Sequence, residues 1–193
     1  MKNILFFSNN SNKFNEVGKL LLNKKIKLMS PLDFNIITEP KENGLSFSEN
    51  AKIKSSFGYK KIKIPCFADD SGICIEALNW KPNIYSKRFI DSFDNKTDCL
   101  QHIIKEVKKS AKNKAFFETS ICYTIKENYH IVFKGRVDGT ISDDILGNKG
   151  FGYDPIFIPN GFTKTFGQLK TNEKNLISHR SIALNKFLNF LFN

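Results

Sequence analysis

Two runs in the second half of the chain restrict its fold more than any others. Phe116 to Ile125 and His130 to Ile141 alternate in the strand manner on either side of Glu127 and Asn128. Alternation of this kind around a short polar turn reads as a long antiparallel hairpin. Gly135 and Gly139 mark expected bends or bulges within it. A hairpin of this length is material for a second lobe or for a dimer surface.

Helical spacing coexists with the hairpin. Thr97 to Lys109 puts Leu100, Ile103, Ile104 and Val107 on one face, a structural amphipathic helix with His102 at its surface. Ser46 to Glu49 fits a capping box, so a helix is expected from about Phe47 to Tyr59, with Lys52 and Lys54 exposed. Asn3 to Phe7 suits a buried strand, Ser8 to Lys13 a polar turn, and Phe14 to Leu22 a helix. Ile26 to Met29 and Phe34 to Thr38 read as short strands, Glu39 to Asn43 as a charged loop, and Pro82 to Phe89 as a further loop with Lys87 and Arg88 beside Tyr85.

Three stretches carry chemistry. At the N-terminus, a strand, a polar loop and a helix start follow in that order. Free helix N–H groups and the helix dipole then face the loop, an arrangement that binds anions, and Lys13 adds a positive charge. An ordinary capped turn, with Asn and Ser satisfying backbone donors, accounts for the same residues equally well. The second stretch is Cys66 to Ala77, CFADDSGICIEA, in which Asp69, Asp70, Ser71 and Gly72 interrupt a strand pattern. Neighbouring strand residues face opposite ways, so one aspartate can face a cleft while the other ties down backbone amides. An Asp at a strand end suits Mg2+, which needs few carboxylates. A β-turn is the alternative, but two carboxylates in so apolar a segment are costly to hold without a purpose. The third stretch is Gly147 to Pro159, GNKGFGYDPIFIP, where aromatics lie between glycines. Such a loop suits a flat ligand that also carries negative charge, or simply leads into a strand with Phe151 and Tyr153 filling core. Downstream, His179 and Arg180 open an apolar helix and offer donors to an anion or a carbonyl.

Composition adds bounds. The formal charge of +11 favours an anionic partner, discounted by an overall richness in Lys, Asn, Ile and Phe; Lys105, Lys108, Lys109, Lys112 and Lys114 read as a solvated face. The 4 cysteines have no C-x-x-C spacing and sit in apolar stretches, as buried free thiols of a reducing compartment do. Neither a membrane span nor a signal peptide is legible. A soluble cytoplasmic protein of one domain, residues 1–193, is expected.

SNNSNKFNEV, GLSFSENAKIKS, FADDSGICIEAL, PNIYSKRF, GNKGFGYDPIFIP, KTFGQL and KNLISHRSIAL, in this order and nearly end to end, resemble the inosine triphosphate pyrophosphatase family. The resemblance implies an elongated α/β fold with a mixed sheet, flanking helices and two lobes around a central cleft. It also implies Mg2+ dependence, a homodimer and hydrolysis of non-standard purine nucleoside triphosphates (ITP, dITP, XTP) to the monophosphate and pyrophosphate. By the same resemblance Ser8, Asn9, Asn10, Ser11, Asn12 and Lys13 bind phosphates. Asp70 is the catalytic carboxylate and a metal ligand, and Ser71 touches substrate. Phe151, Gly152, Tyr153 and Asp154 line the nucleotide pocket, which Lys174, His179 and Arg180 complete. Many relatives carry two acidic residues before the glycine matching Gly44; Lys41 and Glu42 stand there instead, leaving Glu42 as the second candidate ligand. Two rival readings are a basic single-stranded nucleic-acid-binding protein and a Maf-like pyrophosphatase of modified pyrimidine nucleotides. No nucleic-acid or membrane partner is expected on the favoured reading.

Overall fold

In a computed structural model, which describes residues 2–22 and 24–192, the chain is an α/β protein built on a mixed sheet. Strand β1 (Lys2–Phe6) pairs in parallel with β2 (Ile26–Met29) and with β3 (Cys66–Ile75). The short β4 (Lys81–Pro82) pairs antiparallel with β3. The long strands β5 (Lys114–Lys126) and β6 (Tyr129–Ile141) follow, and β7 (Phe157–Pro159) pairs antiparallel with β6. Among the described residues the order is β2-β1-β3-β5-β6-β7, with β4 beside β3. The α/β class and mixed sheet expected from the motifs are the class adopted. Six α-helices join the strands among the described residues: α1 (Ser11–Leu20), α2 (Phe47–Ile62), α3 (Ser86–Asp91), α4 (Lys96–Ser110), α5 (Thr171–Ile177) and α6 (His179–Phe192).

The chain divides into two compact units. The first comprises Met1–Asp70, Thr119–Gly135 and Ala183–Asn193, the second Ser71–Glu118 and Arg136–Ile182. In the first unit β1 is buried on both faces, as an interior parallel strand must be. Ile4 and Phe6 pack with Phe67, Ile121 and Phe187; Leu5 and Phe7, pointing the other way, pack with Met29, Cys66 and Ala68. The second unit has its own core, in which Leu100, Ile103, Ile104 and Val107 of α4 meet Ile73, Ile75, Phe117, Phe157 and Phe166. The apolar stripe read from residues 97–109 is therefore the buried face of α4, and Lys105, Lys108, Lys109, Lys112 and Lys114 are exposed as expected.

Several boundaries differ from the sequence reading, each for a local reason. Helix α1 starts at Ser11, three residues earlier than expected, because Asn10 caps it: its side chain accepts a hydrogen bond from the Lys13 backbone N–H at 3.1 Å. Residues 34–38 form no strand. Pro31 opens a 3-10 turn over Pro31–Phe34, and Asn35 closes it in the left-handed region. The stretch 82–89 holds a 3-10 turn and the start of α3 rather than an open loop. The Asp-Asp-Ser-Gly segment is no turn, since β3 runs through it without a break. Gly139 is needed for close approach: a Cβ there would strike the carbonyl oxygen of Ile158 in the neighbouring strand. Gly139→Ala is expected to destabilise the protein by about 1–3 kcal/mol through overpacking, read as a lower urea midpoint.

Cys66, Cys74, Cys99 and Cys122 are free and buried, as expected. Burial pushes the Cys99 thiol up to about 11 and the Cys74 thiol up to about 12, and raises Cys66 and Cys122 as well. The thiolate is the reactive form. A disulfide reagent at neutral pH should therefore label the cysteines of the native protein far more slowly than those of the urea-unfolded chain.

Candidate functional site

The first unit gathers acids and lysines around the middle of β3. Asp69 and Asp70 are almost fully buried, and alternation along the strand sends them to different partners. Lys13, in the first turn of α1, reaches Asp69 with its Nζ 3.1 Å from both carboxylate oxygens. Asp69 thus holds a lysine. Asp70 meets helix α2. Asn50 Nδ2 donates to its Oδ2 at 3.1 Å, and the Lys54 ammonium stands 3.7 Å from its Oδ1.

Lys54 is the residue that sequence reasoning placed wrongly. It is buried, and its ammonium lies 2.7 Å from Glu42 Oε1 as well as beside Asp70. The cause is the register of α2. Phe47, Asn50, Ala51, Lys54, Ser55 and Gly58 form its buried face, so polar residues sit where a helical stripe ordinarily carries apolar ones. Ser46 starts that register by accepting from the Glu49 backbone N–H. The Glu49 side chain completes the start by accepting from the Leu45 N–H at 2.7 Å. Half-buried Ser48 and buried Ser55 hydrogen-bond to Ser120 and Thr124 of β5, respectively. Asn50, the other residue missed, holds two things at once. Its Oδ1 accepts from the Gly44 backbone N–H at 2.9 Å, tying down the loop that carries Glu42, while its Nδ2 holds Asp70. The available signal was spacing: Asn50 and Lys54 lie one helical turn apart on one face.

The charges act on one another strongly in this dry setting. Burial raises the Asp70 carboxyl above its usual range, with Lys54 and Lys13 opposing and Glu42 adding to the rise. Burial works to lower Lys54, but Asp70, Asp69 and Glu42 outweigh it and hold the ammonium charged. A carboxyl raised by burial is a better proton acceptor than an exposed one. Of the remaining residues expected here, Ser8 Oγ accepts from the Asn10 N–H, Asn9 is exposed, and Ser11 and Asn12 lie exposed in the first turn of α1.

No group of three or more His, Cys, Asp or Glu is gathered for a metal among the described residues. The donor set nevertheless fits a hard divalent cation. Oxygens of Glu42 and Asp70 approach a single positive centre, the Lys54 ammonium, and Mg2+ is commonly held by one or two carboxylates plus water and substrate phosphates.

The second unit builds a different cluster. Asp154 Oδ2 accepts from the Phe151 backbone N–H at 2.7 Å and from Lys174 Nζ at 2.8 Å, both ion-pair partners being buried. The Lys174 ammonium also lies 5.2 Å from the Phe151 ring centre, and the Arg180 guanidinium lies 5.6 Å from it. Arg180, 1% exposed, donates from Nη2 to Ser71 Oγ at 2.9 Å. His179 is stacked on Phe117, ring centres 4.6 Å apart and planes within 7°. His179 and Arg180 are thus held donors rather than surface charges. Tyr153 is buried, and its hydroxyl donates to the Ser86 carbonyl at 2.6 Å, so it supports the loop from below while Phe151 stays partly exposed. Gly152 adopts φ 59°, and the glycine at 150 leaves room for the Asp154 carboxylate.

Comparison with known proteins places this geometry. The sequence model of the Ham1 family matches residues 4–190. The chain belongs to the Ham1 family. A dITP/XTP pyrophosphatase of Christiangramia forsetii is 37% identical over 97% of this chain and 98% of its own. One of Leptospira interrogans is 39% identical over 95% and 94%. The structure of a HAM1 protein from Coxiella burnetii superposes with a TM-score of 0.89 at 33% identity, covering 99% of this chain and 98% of that one. The Ham1 protein of Staphylococcus aureus gives 0.87 at 33%. The relationship suggested by the motifs is borne out, and so is the fold of this Ham1 member.

The Asp154–Lys174 pair yields a stability test. Asp154→Ala leaves a buried ammonium without its 2.8 Å carboxylate and should cost roughly 3–5 kcal/mol. Chemical denaturation of Asp154→Ala and of the double variant Asp154→Asn/Lys174→Met should show the double variant recovering much of the loss.

Proposed function

We propose that this Ham1 member hydrolyses non-standard purine nucleoside triphosphates, ITP, dITP and XTP, to the monophosphate and pyrophosphate. The observation that carries the reading is the convergence of Glu42 and Asp70 on one positive centre with Lys13 close by, in a chain whose relatives are named dITP/XTP pyrophosphatases. A cytoplasmic homodimer using Mg2+ is part of the same proposal.

The triphosphate goes to the first unit. Ser8 to Lys13 lie at the start of α1, where the helix dipole and the N–H groups of the first turn favour phosphate oxygens. Glu42 and Asp70 would hold Mg2+, which when bound supplies neutralisation of phosphate charge. Water attacks the α-phosphorus, the bond to the leaving pyrophosphate breaks, and Asp70 accepts the proton that the water loses. Asn50 fixes the orientation of that carboxylate, and burial keeps it basic enough for the task. Lys13 stabilises negative charge as it moves to the leaving group.

The base goes to the second unit. Phe151 offers a partly exposed ring face. His179 and Arg180 supply donors suited to the six-carbonyl of hypoxanthine and xanthine. The six-amino group of adenine meets those donors with a donor of its own. Unpaired donors in a dry site can discriminate by roughly 10⁴-fold.

A panel of ITP, dITP, XTP, ATP, GTP and modified pyrimidine nucleotides, assayed for pyrophosphate release with Mg2+, tests the reading against its rivals. ITP, dITP and XTP should lead. A profile led by modified pyrimidines, or salt-dependent single-stranded RNA binding without turnover, would displace it. Asp70→Asn should keep the fold by circular dichroism and lose about 10²-fold or more in kcat. His179→Ala and Arg180→Ala should each narrow the ITP-to-ATP ratio; an unchanged ratio in both removes them from base selection.

A further inference from the structure

Lys54 has no place in the reaction just described, yet it is the more enclosed of the two lysines in the first unit's cluster. Its ammonium hydrogen-bonds Glu42 at 2.7 Å and stands 3.7 Å from Asp70, attracted by charge but beyond hydrogen-bond reach. Glu42, Asp69 and Asp70 together carry one more formal charge than Lys13 and Lys54 can neutralise, so the cluster as built leaves a negative excess among these five side chains. The Asp70 carboxylate and the loop that carries Glu42 have a tether other than Lys54. Asn50 holds Asp70 directly and holds the Glu42 loop through Gly44. Charge balance and positioning are therefore carried by different residues on the same face of α2.

We infer that Lys54 is a resident counter-ion, standing in for the divalent cation between Glu42 and Asp70 in the metal-free protein and competing with it. The inference rests on the reading of those two carboxylates as metal ligands. It follows from electrostatics that a unit positive charge a few ångströms from a divalent ion weakens binding in a low-dielectric site. Without any cation, by contrast, the carboxylates repel one another and destabilise the fold. Lys54 thus lowers metal affinity while keeping the empty cluster stable.

Mn2+ binding to nucleotide-free protein, followed by the electron paramagnetic resonance of free Mn2+, tests this with four variants. Lys54→Met should bind Mn2+ at least about tenfold more tightly than the wild type, whereas Lys54→Arg, which keeps the charge, should bind it about as the wild type does. Lys54→Met should also melt lower than wild type without metal and rise further on adding Mn2+. Unchanged or weaker Mn2+ binding by Lys54→Met, with binding abolished by Asp70→Asn, would overturn the inference and leave the metal site standing. Wild-type Mn2+ binding in both Asp70→Asn and Glu42→Gln would instead sink the metal-ligand reading and the inference with it. Should Lys54→Met fail to fold, the lysine side-chain NMR resonances of the wild type decide, Lys54 being identified by its absence from Lys54→Arg. Its resonance should move on adding Mg2+; a stationary one in protein that binds Mg2+ overturns the inference.

Discussion

Two adjacent aspartates in the middle of a buried strand set the terms for the first unit. Asp69 and Asp70 are 1% and 6% exposed. An isolated carboxylate at such depth costs several kcal/mol to ionise. Strand alternation turns the two carboxylates to different sides, and the fold supplies a lysine close to each. On one side it is Lys13, delivered by the first turn of α1; on the other it is Lys54, delivered by α2. The placement of both helix starts follows from this requirement. Asn10 and Ser46 fix where each helix begins, and with 3.6 residues per turn the start decides which side chains face β3.

The second unit solves a related problem with a different chemistry. Lys174 and Arg180 are buried basic groups, and their partners are one carboxylate, one hydroxyl and aromatic faces. Aromatic faces attract cations without adding negative charge. Among the side chains named, this cluster sets two cations against one carboxylate, whereas the first unit's sets three carboxylates against two lysines. The contrast matches the division of labour proposed above. One unit suits a cation and phosphates brought together, and the other suits an electron-rich carbonyl on a ring that can lie against Phe151.

Most of the fold could be read from local pattern. The hairpin, the α4 stripe and the helix cap at Ser46 each rest on periodicity or on a single local hydrogen bond, and each stands where expected. The misreadings cluster where local pattern is silent. Residues 34–38 have strand-forming side chains, but Pro31 and the left-handed Asn35 impose a turn. Lys54 reads as surface because lysine usually is surface. Nothing within α2 reveals that Asp70 and Glu42, brought in by other segments, will cover it. Local pattern leaves Tyr153 open between core filling and a ligand face; only the course of the chain shows that its hydroxyl is committed to the Ser86 carbonyl. Side chains whose environment is made by distant segments are the ones a linear reading misplaces.

The same reasoning explains why composition pointed in the right direction for an incomplete reason. The chain has 30 Lys and Arg residues, and the surface lysines of α4 and its flank contribute a diffuse positive field that any polyanion would feel. Among the described residues, the buried Lys and Arg side chains are Lys54, Lys174 and Arg180, and all three lie in the two clusters. A diffuse field attracts without choosing, and salt screens it. Buried cations with fixed partners are screened far less, and they charge a desolvation cost to any ligand that fails to pair with them. On the proposed reading, selectivity for a nucleotide resides in the few basic groups that composition counts no differently from the rest.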